Sequence, residues 1–241
     1  EDFPMPKEFD RAFSRSAALV LEADVEQLAS EEFALHLVSQ MVLPDGKTLQ
    51  SILDSDVYDL LSAECAKYGL PIDAVSKFKP SMVVTMISML QIQEFGFVEE
   101  GVDAHYLQMA KNKNKPVYYL ETAQSQIDAF LSMGDGYEND YVRYSLYDMG
   151  STEDEITMLV TDWKRGDVSR SEMELAEMKE EWPDIYKALL TDRHAAWMPQ
   201  IEGFLASGQV HFVITGLLHM HGPDGLLQQL RDSGCTVEQF R

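Results

Sequence analysis

Two carboxylates and an imidazole stand where short apolar runs of this chain end. Glu22 closes Ala18 to Leu21 in AALVLEAD, Glu121 closes Val117 to Leu120 in KPVYYLET, and His219 follows Val210 to Thr215 and Gly216 in QVHFVITGLLH. Together these groups offer the donors a divalent metal takes, since imidazole suits zinc and later transition metals and carboxylates suit manganese or magnesium. They meet in one pocket if the three runs are neighbouring parallel strands, because ligands of open α/β sheets bind outside the carboxyl ends of strands. A plainer reading stands beside this one. An acid after a strand often caps the next helix, and Glu121-Thr122 can do only that.

The segment ITGLLHMHGPDGLLQQLRDSG carries the most information. Gly216 ends the third run where backbone can approach another group closely, and Gly222 and Gly225 flank Pro223-Asp224 in a tight turn. A histidine in such a strand-to-helix loop is better placed to act on a ligand than one on an apolar strand. His219 is therefore the candidate, and His211 is read as a packed or surface side chain. His36 and His105 are read as ordinary helical histidines. His221 is either a second ligand, an orienting neighbour of His219, or an exposed turn residue. The chain has no Gly-x-Ser-x-Gly, Gly-x-x-x-x-Gly-Lys, His-Glu-x-x-His or Gly-x-Gly-x-x-Gly. The usual support for serine hydrolases, nucleotidases, zincins and dehydrogenases is absent.

The elements that must position these residues follow from the apolar pattern. Near-continuous apolar runs suit a mostly parallel or mixed sheet covered on both faces, with a weaker fourth strand expected at Cys235 to Phe240. Helices are expected at Val57 to Tyr68, Met82 to Ile92, Val102 to Lys111, Thr122 to Met133 and Leu226 to Ser233. A largely helical stretch of about 138–206 breaks near Gly150, Gly166 and Pro183. Helix, strand and helix alternate around Val117 to Leu120, the mark of an α/β fold. The 241 residues are read as a single α/β domain with that helical stretch inserted. Met82, Met86 and Met89 share one helical face and, with Met173 and Met178, are expected to fill core gaps. Cys65 and Cys235 form no Cys-x-x-Cys and are read as two buried thiols.

The chain carries 19 Lys and Arg against 41 Asp and Glu, a net charge of −22. A phosphate backbone needs a basic face, so nucleic acid is excluded as a general partner, and an anionic membrane surface repels the protein. Its 45% hydrophobic and 10% aromatic content belongs to a folded protein. The longest apolar stretch, Met82 to Ile92, falls short of the ~20 residues a bilayer span requires. The opening EDFPMPKEF shows no signal peptide and no initiator Met. An upstream segment is expected to have been removed or to lie outside this chain.

In order along the chain, FPMPKEFDRAFSRSAALVLEAD, LPDGKTLQSIL, KYGLPIDAVSKFKPSMV, GVDAHYLQMAKNKNKPVYYLETAQSQIDAF, LLTDRHAAWMPQI and VITGLLHMHGPDGLLQQLRDSGCTV resemble the TraB/GumN family, which includes the animal Tiki proteins. The resemblance implies an α/β fold like that of the erythromycin-esterase-like and ChaN-like proteins, and, for the Tiki branch, metal-dependent peptidase activity. Glu22, Glu121, Arg193, Gly216 and His219 fall on the family's motif positions. His219 and Glu22 are then expected metal ligands, with manganese, cobalt or zinc as the ion. Glu121 is a further ligand or the general base, and Arg193 either stabilises the oxyanion or forms a structural ion pair. The family's first Gly-x-x-His, with its strand, is expected upstream of Glu1. His194 stands where relatives often place asparagine. The resemblance favours an exported, periplasmic or cell-envelope bacterial protein, although a cytoplasmic one also fits. The expected activity is hydrolysis of peptide or protein substrates. The alternatives are non-catalytic binding of a peptide, as the pheromone-shutdown members suggest, and a metal-free esterase-like hydrolase with His219 as base. Composition leaves the oligomeric state open.

Overall fold

Four consecutive apolar residues with no polar alternation can be satisfied only where both faces of a strand are covered, and Ala18–Leu21 takes that place. In the computed structural model, which describes residues 6–95, 101–148 and 153–239, this strand, β1, is buried throughout and is central in a three-stranded sheet. Its neighbours are β2 (Val117–Tyr119) and β3 (His211–Val213), in the order β2-β1-β3, and both pairings are parallel. The α/β class and the three expected strands are thus present, in a fold dominated by helix.

The two faces of β1 meet different partners. Leu19 and Leu21 pack with Phe13, Tyr106, Leu107 and Ala110, while Val20 packs with Leu120, Trp197, Ile201 and Leu226. Each fully buried side chain of this size contributes about 1.5–3 kcal/mol, so the sheet fixes the helices laid against it. Helices Lys7–Arg15 and Val102–Asn112 supply the first face, and helices Asp192–Ala206 and Leu226–Asp232 the second. The register pairs Leu21 with Tyr119. Backbone bonds continue past the strand ends, from Leu120 N to Leu21 O at 2.9 Å and from Glu121 N to Glu22 O at 2.8 Å. The two acids are therefore side by side at the carboxyl edge.

Residue contacts sort into two compact units. One is formed from Glu1–Val25, Glu100–Ala123 and Leu159–Arg241 and contains the sheet; the other, from Glu26–Glu99 and Gln124–Met158, is helical in its described residues. The latter includes helix Ser55–Lys67, which ends before Gly69 at φ 67°, and helix Pro80–Glu94, with proline in its first turn. Within the long helical stretch, breaks follow Arg165 and Glu181, near Gly166 and Pro183 as expected, while Gly150 lies outside the described residues.

Two expectations are corrected. Among the described residues, Cys235 to Gln239 form no strand. The Cys235 N–H closes the preceding helix by donating to Leu230 O, and Thr236, Glu238 and Gln239 leave the segment without an apolar face to bury. Phe240 lies outside the described residues. Methionine is also less of a core filler than its spacing suggested. Met178 is buried, but Met89 and Met173 are exposed, because the buried face of Pro80–Glu94 is made by Val83, Val84 and Ile87 instead. Of the two free thiols, Cys65 is buried, which pushes its pKa up to about 11, and Cys235 is half-buried.

Candidate active site

Glu22, Glu121, Arg193, Gly216 and His219 converge at the carboxyl edge of the sheet. Arg193 is the hub. Its Nη2 donates to Glu22 Oε2 at 2.6 Å and Glu121 Oε1 at 2.7 Å, its Nε to Glu121 Oε2 at 3.4 Å, and its Nη1 to His219 Nε2 at 2.9 Å. Side-chain exposure is 8% for Arg193, 9% for Glu121 and 19% for Glu22, so these ion pairs operate largely out of water, where each bond is stronger than on a surface.

Helix geometry explains how one segment supplies the hub. Lys187–Thr191 forms a π-helical turn between Pro183–Tyr186 and Asp192–Ala206. Such bulges re-aim the residues that follow and recur at functional sites. One turn after Arg193 comes Trp197, fully buried. The Arg193 guanidinium lies 4.5 Å from the Trp197 ring centroid, and the indole N–H donates to Glu121 Oε2 at 3.2 Å. Both Glu121 oxygens are thus held by the one helix.

Glu22 is held from the other side. The Gly216 N–H donates to its Oε1 at 2.6 Å, so backbone does approach closely there. A methyl group on Gly216 would nevertheless meet Glu22 Oε1 and His219 Cδ2 at 3.5 Å, ordinary contact. It is the N–H, then, that this position contributes. His219, in the helical turn Leu217–Met220, is buried, with its ring 4.6 Å from that of Trp197. Burial, reinforced by the charge of Arg193 and by His194, lowers its pKa to about 3, so it is neutral.

His194 reaches the same cluster, and its type was noticed in the sequence but given no role. Its Nε2 lies 2.9 Å from His219 Nδ1, and its Nδ1 lies 2.8 Å from Asp224 O. Burial lowers its pKa as well. The Asp224 carboxylate accepts from Lys179 Nζ at 2.6 Å and Tyr186 Oη at 2.9 Å, which tethers the turn. That turn needs its glycines: Gly222 has φ 79°, and a Cβ on Gly225 would sit 2.1 Å from His221 O.

Beside β3 opens a cavity of about 990 Å³, walled by Phe9, Trp163, Phe212, Ile214 and Leu217 and reaching Gly216. His221 lines this cavity. Two polar side chains in its wall were not singled out from the sequence. The Thr215 hydroxyl is buried with no hydrogen-bond partner among the described residues. Asp103, at the start of helix Val102–Asn112, is raised to about pKa 6 by burial and then by Glu22. Its only sequence signal was the Gly-Val-Asp segment. His36, His105 and His211 take no part; His211 packs its ring 4.7 Å from that of Phe204.

Carboxylate and imidazole are suitable metal donors, but their arrangement does not fit a divalent ion. Each expected ligand faces the guanidinium, and no described group of three or more His, Cys, Asp or Glu is disposed to hold a metal. A bound ion would have to displace Arg193 and stand beside its charge. Every Arg193 N–H already has an acceptor, since Nη1 also donates to Leu189 O at 3.5 Å, so the cluster can offer the Glu22 carboxylate to a polarised water and meets a developing oxyanion only by exchanging one of these bonds.

A family model described as TraB/PrgY/gumN family matches residues 1–239. Two curated proteins, each named uncharacterized protein YbaP, from Escherichia coli (strain K12) and Shigella flexneri, are similar to the chain. Each is 24% identical over 230 residues, covering 95% of this chain and 82% of the relative. No solved structure matches.

Proposed function

The chain belongs to the TraB/PrgY/gumN family, and on that premise we propose that it is a hydrolase of peptide bonds whose active site is the cluster of Glu22, Glu121, Arg193 and His219. The observation that supports this reading is the convergence of two carboxylates, a guanidinium and a neutral imidazole on one buried point at the strand ends, next to a cavity with an apolar wall. The substrate class rests on the resemblance to the peptidase branch and on that wall, which suits the apolar side chains of a peptide. Glu22, the more exposed carboxylate, takes the proton from an attacking water. Glu121, clamped on both oxygens, holds Arg193. Arg193 exchanges one of its bonds to stabilise the oxyanion, and Glu22 passes the proton it took to the leaving amine, while neutral His219 holds Arg193 Nη1 through its Nε2 lone pair. Manganese, cobalt or zinc enters this reading only if Arg193 first turns out of the cluster.

The test is peptide turnover by the full chain, with each of these metals and with chelator, beside Glu22→Gln and His219→Gln. Turnover lost in both variants supports the reading. Equal turnover by the variants, or none by any form under any condition, overturns it. A second reading, binding of a peptide without cleavage, is favoured by the saturation of Glu121. A peptide retained intact at the cavity, with affinity reduced by Leu217→Glu, would establish it.

A further inference from the structure

The contacts around His219 settle where its proton sits. Arginine has donors only, so the bond from Arg193 Nη1 requires a bare lone pair at His219 Nε2. At the other end, Asp224 O can only accept, and it lies 2.8 Å from His194 Nδ1 and 2.7 Å from Gln229 Nε2. His194 Nδ1 therefore carries a proton. Neutral His194 is left with an acceptor at Nε2, which meets His219 Nδ1 at 2.9 Å, and the neutral His219 must donate there. Every bond from Arg193 to Asp224 is then satisfied by a single proton arrangement, Nδ1–H on both rings.

We propose that His194 is a positioning residue that locks His219 in its Nδ1–H tautomer and keeps the Nε2 lone pair turned toward Arg193 and the strand ends. The chain of bonds does not conduct a proton, because it ends on a backbone carbonyl that cannot accept one covalently. Its effect is orientation, of the kind an outer hydrogen-bond partner exerts on a functional imidazole. The carbonyl is itself held, since the Asp224 side chain is tethered by Lys179 and Tyr186. The purpose of the lock rests on the hydrolase reading, whereas the tautomer does not.

The test is nuclear magnetic resonance of the full chain labelled with 15N at histidine, at neutral pH. Two-bond correlations show which ring nitrogens carry protons, and a coupling across the N–H···N bond identifies the pair. Disappearance of a ring in His219→Gln assigns its signals. The expected result is a proton on Nδ1 of both His219 and His194, with a coupling from His219 Nδ1 to His194 Nε2. In His194→Phe the single tautomer of His219 is lost, and His194→Gln, whose side-chain carbonyl can accept, restores it. A proton on His219 Nε2 in the unaltered protein overturns the lock, as does a His219 spectrum unchanged in His194→Phe. If that variant does not fold, the unaltered protein and His194→Gln decide. A locked tautomer without turnover on any peptide counts against the hydrolase alone.

Discussion

Arginine meets carboxylate in both compact units, with opposite consequences. In the helical unit Arg143 Nη2 and Asp56 Oδ2 lie 2.5 Å apart, with side-chain exposures of 39% and 64%. In the sheet-bearing unit Arg193 serves Glu22 and Glu121 at nearly the same distances but almost out of water. The surface pair attracts through solvent and exchanges easily with water and salt. The buried group cannot, so each member depends on the others for its charge. Contact distance therefore does not distinguish decoration from function; burial and the number of partners do.

That contrast can be broken by experiment, most severely at the hub. Arg193→Met strands two carboxylates, and urea unfolding is expected to show a loss of about 3–5 kcal/mol, whereas Arg143→Met leaves the unfolding midpoint where it was. Equal effects would collapse the distinction. Next comes the acid limb. His219 has its folded pKa lowered to about 3, so its stabilising contribution is complete above the unfolded value of ~6.5 and is lost as pH falls toward 3. Between neutrality and roughly pH 4.5 this amounts to about 2–3 kcal/mol, and His219→Gln should flatten that limb in a pH series of unfolding curves.

Asp103 works in the opposite direction. Its folded pKa is raised to about 6, so the stability it contributes while protonated is present below the unfolded value of ~3.9 and disappears as pH rises through 6. Asp103→Asn should accordingly stabilise the protein by about 2 kcal/mol at pH 7 and leave it unchanged near pH 3. A uniform gain at both would assign the effect to packing instead. The smallest effect belongs to Lys179→Met. Its pair with Asp224 is partly exposed, and the thermal midpoint should register less than about 1 kcal/mol.

Much of the site was legible because strand ends announce themselves. The runs before Glu22, Glu121 and His219 are apolar and short, and parallel pairing brings their carboxyl ends together by geometry alone. Arg193 needed the family resemblance, since a lone arginine in a helical stretch has no periodic signature. His194 and Trp197 were written at one and four positions after it, yet only the helix, re-aimed by its π turn, shows that they point to the same place. Asp103 had only the Gly-Val-Asp segment to mark it and Thr215 had nothing, because burial beside a cavity is a property of several separate segments at once. The strand expected at Cys235 failed for a local reason: a helix end took its first N–H.

The sequence by itself determined the class of fold, the three strands and the acids and histidine that end them, because hydrophobic periodicity and chain breaks are local properties. Only the tertiary structure decided which charge sits among those donors. Arg193 comes from a helix far along the chain, and packing of Trp197 and Ile201 against Val20 and Leu226 brings it there. Once in place, its guanidinium occupies the position where the donor set alone suggested a metal. A string of residues specifies the ligands; whether their lone pairs face an ion or an arginine depends on the three-dimensional neighbourhood that desolvates them.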